Sequence, residues 1–393
     1  MKIALLTNIV SPHQLPLAEA IVQRIGEENY RYAYTESFHK ERANMGWGNG
    51  EAPIWCKKAD ECSTFLRGAD LVYCEERDLE LFNERIDKGK LVFYVSERWF
   101  KPPIGIARLL HPRYFLMALK VVRMLRHAST FYYFPQGIHA ARDMARLCGL
   151  FSGDLRCLFR APQLEFERKP GGRIYLTSSS LQHPATTTTR SKRYCLDKMR
   201  MWGYFVEPSQ HRTSRTIPNF PPPTPNSIHV LWVGRFLKWK RVDTIIRAVG
   251  ELSTCSTCST RFSLDIYGTG PAESRFKKLA AKYGDFIKFY PPVPISDVRR
   301  LMRGHDVYVL ASNAEEGWGA ALNEAMEEGV ISLGTYEAGS SSSMLQESHL
   351  FHAGDWEGLS RLLAKVANGN LGFVGMGEWT AECAAGKLLS MTK

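Results

Sequence analysis

The sequence predicts an α/β protein built from two doubly wound domains, and three observations support this prediction. The chain has 393 residues, of which 44% are hydrophobic, so it can bury two ordinary domain cores. Short apolar runs alternate with segments of helical period in both halves, which is typical of a parallel sheet with crossover helices. A stretch rich in Pro, Ser, Thr and Asn separates the two halves, as a linker would.

Five apolar runs predict the strands of the first domain, and each run ends in a polar or turn-forming cluster. The runs are Ile3–Leu6, Tyr30–Tyr34, Asp70–Cys74, Leu91–Val95 and Thr130–Phe134. Open parallel sheets bind ligands at the carboxyl ends of their strands. The residues that follow these strands and are candidates to line one cleft are Ser11, His13, Glu36, Glu75, Glu97 and Arg98. The alternative interpretation is that most of them are solvated loop residues.

The second half predicts a further sheet, because apolar runs and helical segments alternate there again. The predicted strands are IHVLWV, FSLDIYG, IKFYPPV, DVYVLAS and VISLGT, and helices are expected to begin near Val242, Glu273, Ser296 and Gly319. We therefore expect a first domain over residues 1–206, a linker over 207–227, a second domain over 228–372 and a C-terminal segment over 373–393. Within the first domain, residues from about 151 to 200 lose the periodic pattern and predict an irregular excursion.

The formal net charge of +11 indicates an anionic partner. Nucleic acid, acidic lipid headgroups and phosphorylated small molecules would each satisfy that charge. The chain lacks a recognisable helix-turn-helix, zinc finger or ribonucleoprotein motif, which argues against a nucleic-acid-binding protein.

Neither metal, cofactor nor secretion is predicted. The nine cysteines follow no paired framework, and Cys255 and Cys258 have no second pair to complete a zinc site. No D-x-D triplet is present to hold a divalent cation. The apolar N-terminus runs directly into Ser11 without a cleavage signature, and no apolar stretch is long enough to span a bilayer. We therefore expect a cytoplasmic protein without an obligatory metal.

Two cations follow the first strand of the second half, Arg235 in VGR and Lys240 in LKWK. Cations five residues apart in one loop can converge on a diphosphate, Arg as a fork and Lys as a point charge. Taken alone the pattern is weak, since basic residues after a strand are usually solvated.

The segment SNAEEGWGAALNEAMEEG is more informative. Glu316 is expected in the loop after DVYVLAS, whereas Glu324 falls in the helix that follows, roughly 10–12 Å away by the helical rise. One carboxylate can then accept hydrogen bonds from sugar hydroxyls and the other from a ribose, while the helix N-terminus faces phosphates. An acidic, solvent-facing helix is the alternative, and it suits Glu327 and Glu328 well but Gly-Trp-Gly poorly.

Four motifs together, VGRFLKWKRVD, LDIYGTGP, HDVYVLAS and EEGWGAALNEAMEEG, resemble in order and spacing the nucleotide-sugar domain of glycosyltransferase family 4. That resemblance implies the GT-B fold, in which two Rossmann-like domains face each other across a cleft and a C-terminal helix crosses back to the N-terminal, acceptor-binding domain. It also implies a retaining transfer from a nucleotide diphosphate sugar, such as a UDP-sugar or GDP-sugar, to a glycan or lipid-linked acceptor in polysaccharide, lipopolysaccharide or glycoconjugate biosynthesis.

The resemblance also implies roles for residues of the second half. Arg235 and Lys240 would bind the diphosphate, Glu316 the transferred sugar and Glu324 the ribose. Backbone around Gly317, Trp318 and Gly319 would add contacts, and Gly268, Thr269 and Gly270 would border the nucleotide. In the family, the leaving phosphate is thought to accept the proton of the acceptor hydroxyl, so paired cations would stabilise the departing diphosphate.

The sequence departs from the family pattern at several positions. Arg241 stands where glycine is common, and SPHQLP replaces a Gly-Gly turn. VISLGTYEAGSSSSML replaces a proline-valine pair and a Gly-rich loop, although its AGSSSS part is expected to offer amides and hydroxyls to a diphosphate. The family's N-terminal-domain histidine is not marked by a motif, and His13 is the best candidate.

The segment Lys101–His127 carries basic residues and no acidic one, and part of it predicts a basic amphipathic helix. Its apolar side would comprise Leu109, Leu110, Phe115, Leu116, Leu119, Val122 and Leu125. We expect an acceptor or membrane-facing side that includes Glu97, Arg98, Arg108, Arg113, Lys120 and Arg123. Three alternatives remain open at this point: a core helix with basic outer residues, a sugar-nucleotide epimerase or glucan phosphorylase of the same fold, and a relative that binds a nucleotide sugar without turning it over.

Overall fold

The computed structural model describes residues 1–36, 52–160, 165–168, 174–177, 195–209, 226–255 and 259–392. These described residues divide into two compact units. Unit 1 comprises those between 1 and 205 together with 377–392, and unit 2 comprises those between 206 and 376.

Unit 1 is built on a six-stranded parallel sheet with the strand order β3-β2-β1-β4-β5-β6. Its strands are β1 (Ile3–Thr7), β2 (Tyr30–Tyr34), β3 (Cys56–Lys58), β4 (Leu71–Cys74), β5 (Leu91–Ser96) and β6 (Phe131–Pro135). The helices are α1 (Leu15–Ile25), α2 (Ser63–Gly68), α3 (Leu79–Asp87), α4 (Pro112–His127) and α5 (Ile138–Leu150). The order reverses between β1 and β4, which is the point where doubly wound sheets bind ligands.

Residues 377–392 of the C-terminal segment belong to unit 1. Helix α12 (Ala381–Ser390) begins where the Thr380 side chain accepts a hydrogen bond from the Cys383 amide. It packs against α1, with Ala384, Ala385 and Leu388 in the core of the first sheet and Arg24 paired with Glu382 at the rim. Burial of this apolar face, rather than the rim ion pair, stabilises the contact.

Unit 2 repeats the same design with the strand order β11-β10-β9-β12-β13-β14, all parallel. Its strands are β9 (Ser227–Val233), β10 (Arg261–Tyr267), β11 (Ile287–Tyr290), β12 (Val307–Leu310), β13 (Ile331–Thr335) and β14 (Leu350–Phe351). Its helices are α6 (Val242–Thr254), α7 (Glu273–Ala280), α8 (Ile295–Arg303), α9 (Ala321–Glu327), α10 (Gly339–Met344) and α11 (Trp356–Ala367). Two doubly wound α/β sheets confirm the predicted fold class.

Differences from the predicted elements occur at sheet edges and in the excursion. The short edge strands β3 and β14 lacked an apolar run to mark them and were not predicted. Within the excursion expected to be irregular, β7 (Glu165–Arg168) and β8 (Ile174–Thr177) pair as an antiparallel ribbon. Most of the predicted linker, residues 210–225, lies outside the described residues.

Among the described ranges, no helix is both long enough and apolar enough to cross a bilayer.

Candidate active site

The loop after β9 carries both predicted cations. Arg235 is exposed, whereas Lys240 ends a short 3-10 turn, Lys238–Lys240, and is half-buried with its ammonium 4.5 Å from the centre of the Trp239 ring. Arg241 follows with φ of 51°, in the left-handed region that glycine adopts without strain. Its guanidinium pairs with Asp243, Nε to Oδ1 at 3.1 Å, which helps to hold an arginine in this backbone conformation.

The Gly268–Gly270 loop after β10 is packed against the Arg235 loop. The Phe236 amide donates to the Thr269 carbonyl at 2.8 Å. A Cβ at Gly268 would lie 1.9 Å from the Gly234 oxygen, so only glycine permits this approach of two backbones. The two loops are therefore held side by side at neighbouring strand ends.

Glu316, in the loop after β12, contacts Lys240 of the loop after β9. Lys240 Nζ donates to Glu316 Oε2 at 2.5 Å, and Ser312 Oγ donates to the same oxygen at 2.8 Å. The two side chains are only 19% and 10% exposed, so the contact is poorly screened by solvent. The Asn313 amide bonds the Trp239 carbonyl at 2.9 Å, which fixes the two loops together.

The Gly-Trp-Gly segment is a rigid support. The Trp318 ring is buried, and its Nε1 donates to Asn323 Oδ1 at 2.8 Å. Gly319 has φ of 93°, and a Cβ at Gly339 would lie 2.2 Å from the Gly317 oxygen, so α10 begins directly against this loop. Any ligand contact here would come from backbone, because the indole is occupied inside the protein.

Glu324 lies on the first turn of α9 and is buried. Burial raises its pKa to about 7, with Arg299 opposing and Glu328 reinforcing the shift. Charges on Glu324 and Glu316 both raise the pKa of the buried Tyr308 phenol, after its own desolvation. Both carboxylates therefore lie within electrostatic reach of one ring.

The Glu327 and Glu328 side chains are buried, so the alternative of an acidic, solvent-facing helix is wrong. Glu328 is 1% exposed at its side chain and pairs with Arg299 at 2.5 Å and Arg303 at 2.6 Å. Glu327 is 4% exposed and accepts a hydrogen bond from the Ser209 amide at 2.9 Å. Helix α9 is thus tied down by ion pairs to α8, which the amino-acid pattern of α9 alone does not reveal.

The serines of the AGSSSS segment do not offer hydroxyl donors in the way expected. Ser340 Oγ donates to the Gly319 carbonyl at 3.1 Å, and the hydroxyls of the other three likewise donate to backbone carbonyls. These bonds satisfy the donors that a diphosphate would need.

In unit 1, several predicted strand-end residues gather at one edge of the sheet. Glu75 accepts hydrogen bonds from Thr7 at 3.1 Å, from Gln136 at 3.2 Å and from Gln14. Burial, reinforced by Glu97, raises the pKa of Glu75 to about 7 although its hydrogen bonds oppose the shift. Tyr204 donates to Glu97 at 3.3 Å.

His13, Ser11 and Glu36 lie at the same edge. The His13 ring is 6.0 Å from that of Tyr204, and burial lowers the pKa of its imidazole to about 4. His13 is therefore neutral at neutral pH. The Ser11 amide donates to the Tyr32 hydroxyl at 3.0 Å. Glu36 is exposed, and its backbone amide donates to the Asn8 carbonyl at 2.7 Å.

The basic residues predicted on the acceptor or membrane-facing side fall into two groups, those that contact other side chains and those that are exposed on α4. Arg98 pairs with the buried Asp143 at 3.4 Å, and Arg108 lies over the Tyr114 ring. Arg113, Lys120 and Arg123 are exposed along α4. Val122 and Leu125 of the predicted apolar side are buried in the core, but Leu110, Phe115 and Leu116 are 85%, 39% and 54% exposed.

Within the described residues, no cluster of three or more His, Cys, Asp or Glu side chains has the placement to hold a metal ion. Cys258, one of the close cysteine pair, lies outside the described residues.

Comparison with known proteins finds similarity to glycosyltransferases in unit 2. Residues 214–371 match the family model described as glycosyl transferases group 1. Unit 2 is similar to a group 1 glycosyl transferase domain. An uncharacterized glycosyltransferase of Methanocaldococcus jannaschii is 31% identical over 102 residues, which span 26% of this chain and 26% of that protein. The group 1 match contains Arg235, Lys240, Glu316 and Glu324.

Solved structures share the fold over the whole chain. The lipopolysaccharide outer core galactosyltransferase WaaB matches with a TM-score of 0.59 at 14% identity, covering 99% of this chain and 98% of that one. OtsA matches with a TM-score of 0.57 at 9% identity, covering 100% and 99%. Anabaena Alr3699/HepE, in a complex with UDP, matches with a TM-score of 0.55 at 13% identity, covering 100% and 95%. The chain has the GT-B fold.

Sequence reasoning missed the residues that hold the candidates in place. Ser312 binds Glu316, and Gln14 and Gln136 bind Glu75. Ser312 could have been found from its place at the end of DVYVLAS, where side chains turn toward the ligand edge. Gln14 and Gln136 carry no comparable signal, since their partner is distant in sequence.

Proposed function

We propose that the chain is a retaining, metal-independent glycosyltransferase that takes a sugar from a nucleotide diphosphate donor held by unit 2. The observation that carries this proposal is the contact of Lys240 with Glu316, supported by Ser312, inside a domain that matches glycosyl transferases group 1. The fold of lipopolysaccharide glycosyltransferases supports a glycan or lipid-linked acceptor in glycoconjugate biosynthesis.

The contact constrains how a donor would bind. Because Lys240 Nζ and Glu316 Oε2 are 2.5 Å apart, the donor atoms that they touch must be near neighbours. In a nucleotide sugar, an anionic phosphate and a hydroxyl of the transferred sugar are neighbours around the anomeric carbon. Lys240 would thus stabilise the charge that develops on the leaving phosphate, and Glu316 would orient the transferred sugar.

Arg235 and Glu324 would complete the site. The exposed guanidinium of Arg235 lies beside the Gly268–Gly270 loop and can bind the second phosphate as a fork. Glu324 would hold the ribose.

The protein would bind peripherally to an anionic membrane through unit 1. The exposed side of α4 combines Phe115 and Leu116 with Arg113, Lys120 and Arg123, the mixture that binds acidic headgroups and the acyl boundary. A lipid-linked acceptor would be reached from that surface.

A thermal-shift panel of uridine-, guanosine- and adenosine-diphosphate sugars tests the proposal. One donor class should raise the unfolding midpoint of the wild type, because a ligand stabilises the state that binds it. The rise should be lost in Glu324→Ala, measured against that variant's own midpoint, and kept in Glu357→Ala, which alters an exposed carboxylate of α11. A panel without any stabilising donor, or an equal rise in Glu324→Ala, would refute the donor site.

A further inference from the structure

At the carboxyl edge of the unit 1 sheet, the carboxyl group of Glu75 follows β4 and lies among side chains from several other strand ends. Thr7 ends β1, Gln136 follows β6 and Gln14 stands at the start of α1, and each donates a hydrogen bond to the Glu75 carboxylate. This convergence lies at the switch point of the strand order, where doubly wound sheets bind ligands.

One atom of this cluster lacks a partner. Gln14 is 1% exposed, and its Oε1 has no hydrogen-bond partner among the described residues, although its Nε2 donates to Glu75. A buried acceptor without a donor is costly, and such groups usually mark a place for an ordered water or a ligand.

The carboxylate itself has capacity left. Glu75 Oε1 accepts from Gln14 and Gln136, whereas Oε2 accepts from Thr7. A carboxylate has about four lone-pair positions, so Oε2 can take one more donor. Glu75 as a whole residue is half-buried rather than fully enclosed.

Gln14 Oε1 and Glu75 Oε2 are hydrogen-bond acceptors that can each take a further donor. Two such acceptors on neighbouring side chains suit a ligand with adjacent hydroxyl groups. We infer that Glu75 and Gln14 form a binding site for a vicinal diol of the acceptor sugar, one hydroxyl donating to Glu75 and its neighbour to Gln14, directly or through one water. Glu75 is thereby a specificity-determining residue for the acceptor. The diol site itself is argued from the contacts above, and only its role as an acceptor site rests on the proposed function.

Ionisation should control the affinity, because a carboxylate accepts from a hydroxyl more strongly than a carboxylic acid does. Burial raises the pKa of Glu75 to about 7, so its charged fraction increases as the pH rises through neutrality. The titratable groups that face it are Glu97 after β5, Tyr32 of β2, Tyr73 and Cys74 of β4, and Tyr204. The pKa values of the three tyrosines and of Cys74 are raised by burial, so they stay neutral here, and Glu97 reinforces the shift in Glu75.

The test measures binding of methyl glycosides of glucose, galactose, mannose and N-acetylglucosamine to the full chain by NMR titration. At least one glycoside should saturate the wild type, and Glu75→Gln should weaken it about tenfold or more. Glu76→Gln, the same change one residue along, should leave the affinity as it was. Affinity of the wild type should increase from about pH 6 to about pH 8, and that of Glu75→Gln should not.

The inference is overturned if no glycoside saturates the wild type, or if Glu75→Gln binds with unchanged affinity and pH profile. Should Glu75→Gln fail to fold, the pH profile of the wild type decides, and a flat profile counts against the inference. Glycoside binding that depends on Glu75, in a protein that no nucleotide sugar stabilises, would leave this site standing and remove only the proposed function.

Discussion

At the scale of single residues, the candidate donor site depends on one partly buried ion pair. Lys240 and Glu316 are mutually satisfied, with Ser312 as a third partner, so the pair is preorganised before any ligand arrives. Preorganised charge is the form of electrostatic stabilisation that costs no rearrangement during reaction.

Replacing Lys240 by Ala should weaken the protein as well as donor binding. The Glu316 carboxylate would lose its cation inside a poorly solvated loop, which should lower the free energy of unfolding by about 1–3 kcal/mol. Denaturant titration measures this loss. Lys238→Ala, at an exposed position of the same turn, should stay within about 0.5 kcal/mol of the wild type, and an equal loss in both variants would contradict the account.

Glu324 should make stability depend on pH. Its folded pKa of about 7 lies above the value in the unfolded chain, so the folded state binds the extra proton. Its favourable contribution is complete below about pH 4.5 and is lost as the pH rises to about 7. Glu324→Gln should not show that loss. Between about pH 5 and pH 8, the free energy of unfolding of the wild type should therefore fall, relative to that of the variant, by on the order of 3 kcal/mol.

Urea unfolding at the two pH values measures that difference. Glu75 titrates in the same range, so the variant should keep part of the wild-type dependence. Glu357→Gln, on the exposed side of α11, should follow the wild type at both values. A Glu324→Gln variant that retains the full dependence would show that Glu324 is not buried as described.

At the scale of elements, glycines decide how closely the loops of unit 2 approach. Gly268 permits the β10 loop to lie against the β9 loop, and Gly339 permits α10 to begin against Gly317. These contacts, rather than helix propensity, fix the segment that carries Glu316.

Gly339→Ala should separate α10 from the Gly-Trp-Gly loop, because the new Cβ would lie 2.2 Å from the Gly317 oxygen. Forcing such an overlap costs about 1–3 kcal/mol. Thermal unfolding should therefore show a lower midpoint for Gly339→Ala than for Gly372→Ala, where a Cβ meets nothing within 4 Å. Equal midpoints would indicate that α10 has room to move.

The exposed face of α4 should direct binding to anionic vesicles. Lys120→Glu combined with Arg123→Glu should weaken sedimentation with phosphatidylglycerol vesicles tenfold or more, since each basic residue near the surface contributes about 1 kcal/mol. The matched reversal of Lys278 and Lys282, both exposed in unit 2, should have little effect. Equal losses in the two double variants would show that net charge, and not α4, governs the binding.

At the scale of the whole molecule, sequence predicted the two sheets well because buried parallel strands are continuous apolar runs. The runs of β1, β2 and β9 could be recognised in this way. In contrast, β3 consists of one cysteine and two exposed lysines, and β14 has only two residues. Side-chain partners could not be predicted, because Arg299 with Glu328 and Gln14 with Glu75 join residues that only the fold brings together. The predicted roles of Arg235, Lys240, Glu316 and Glu324 remain predictions that the geometry supports.

The same design occurs twice, and each unit brings polar groups to the carboxyl edge of its sheet. Unit 2 offers cations next to carboxylates, which suits a diphosphate joined to a sugar. Unit 1 offers the Glu75 carboxyl group bonded to a hydroxyl and two side-chain amides, which suits hydroxyl groups. The two edges therefore differ in chemistry in the way that a donor and an acceptor differ.

Hydrogen–deuterium exchange of the full chain, with and without the nucleotide sugar that stabilises it, tests the donor site most directly. We predict that exchange slows in the loops that carry Arg235 to Lys240 and Ser312 to Glu324, because one ligand would touch both. Slowing confined to other segments, with these two loops unchanged in a chain saturated by the donor, would contradict the account.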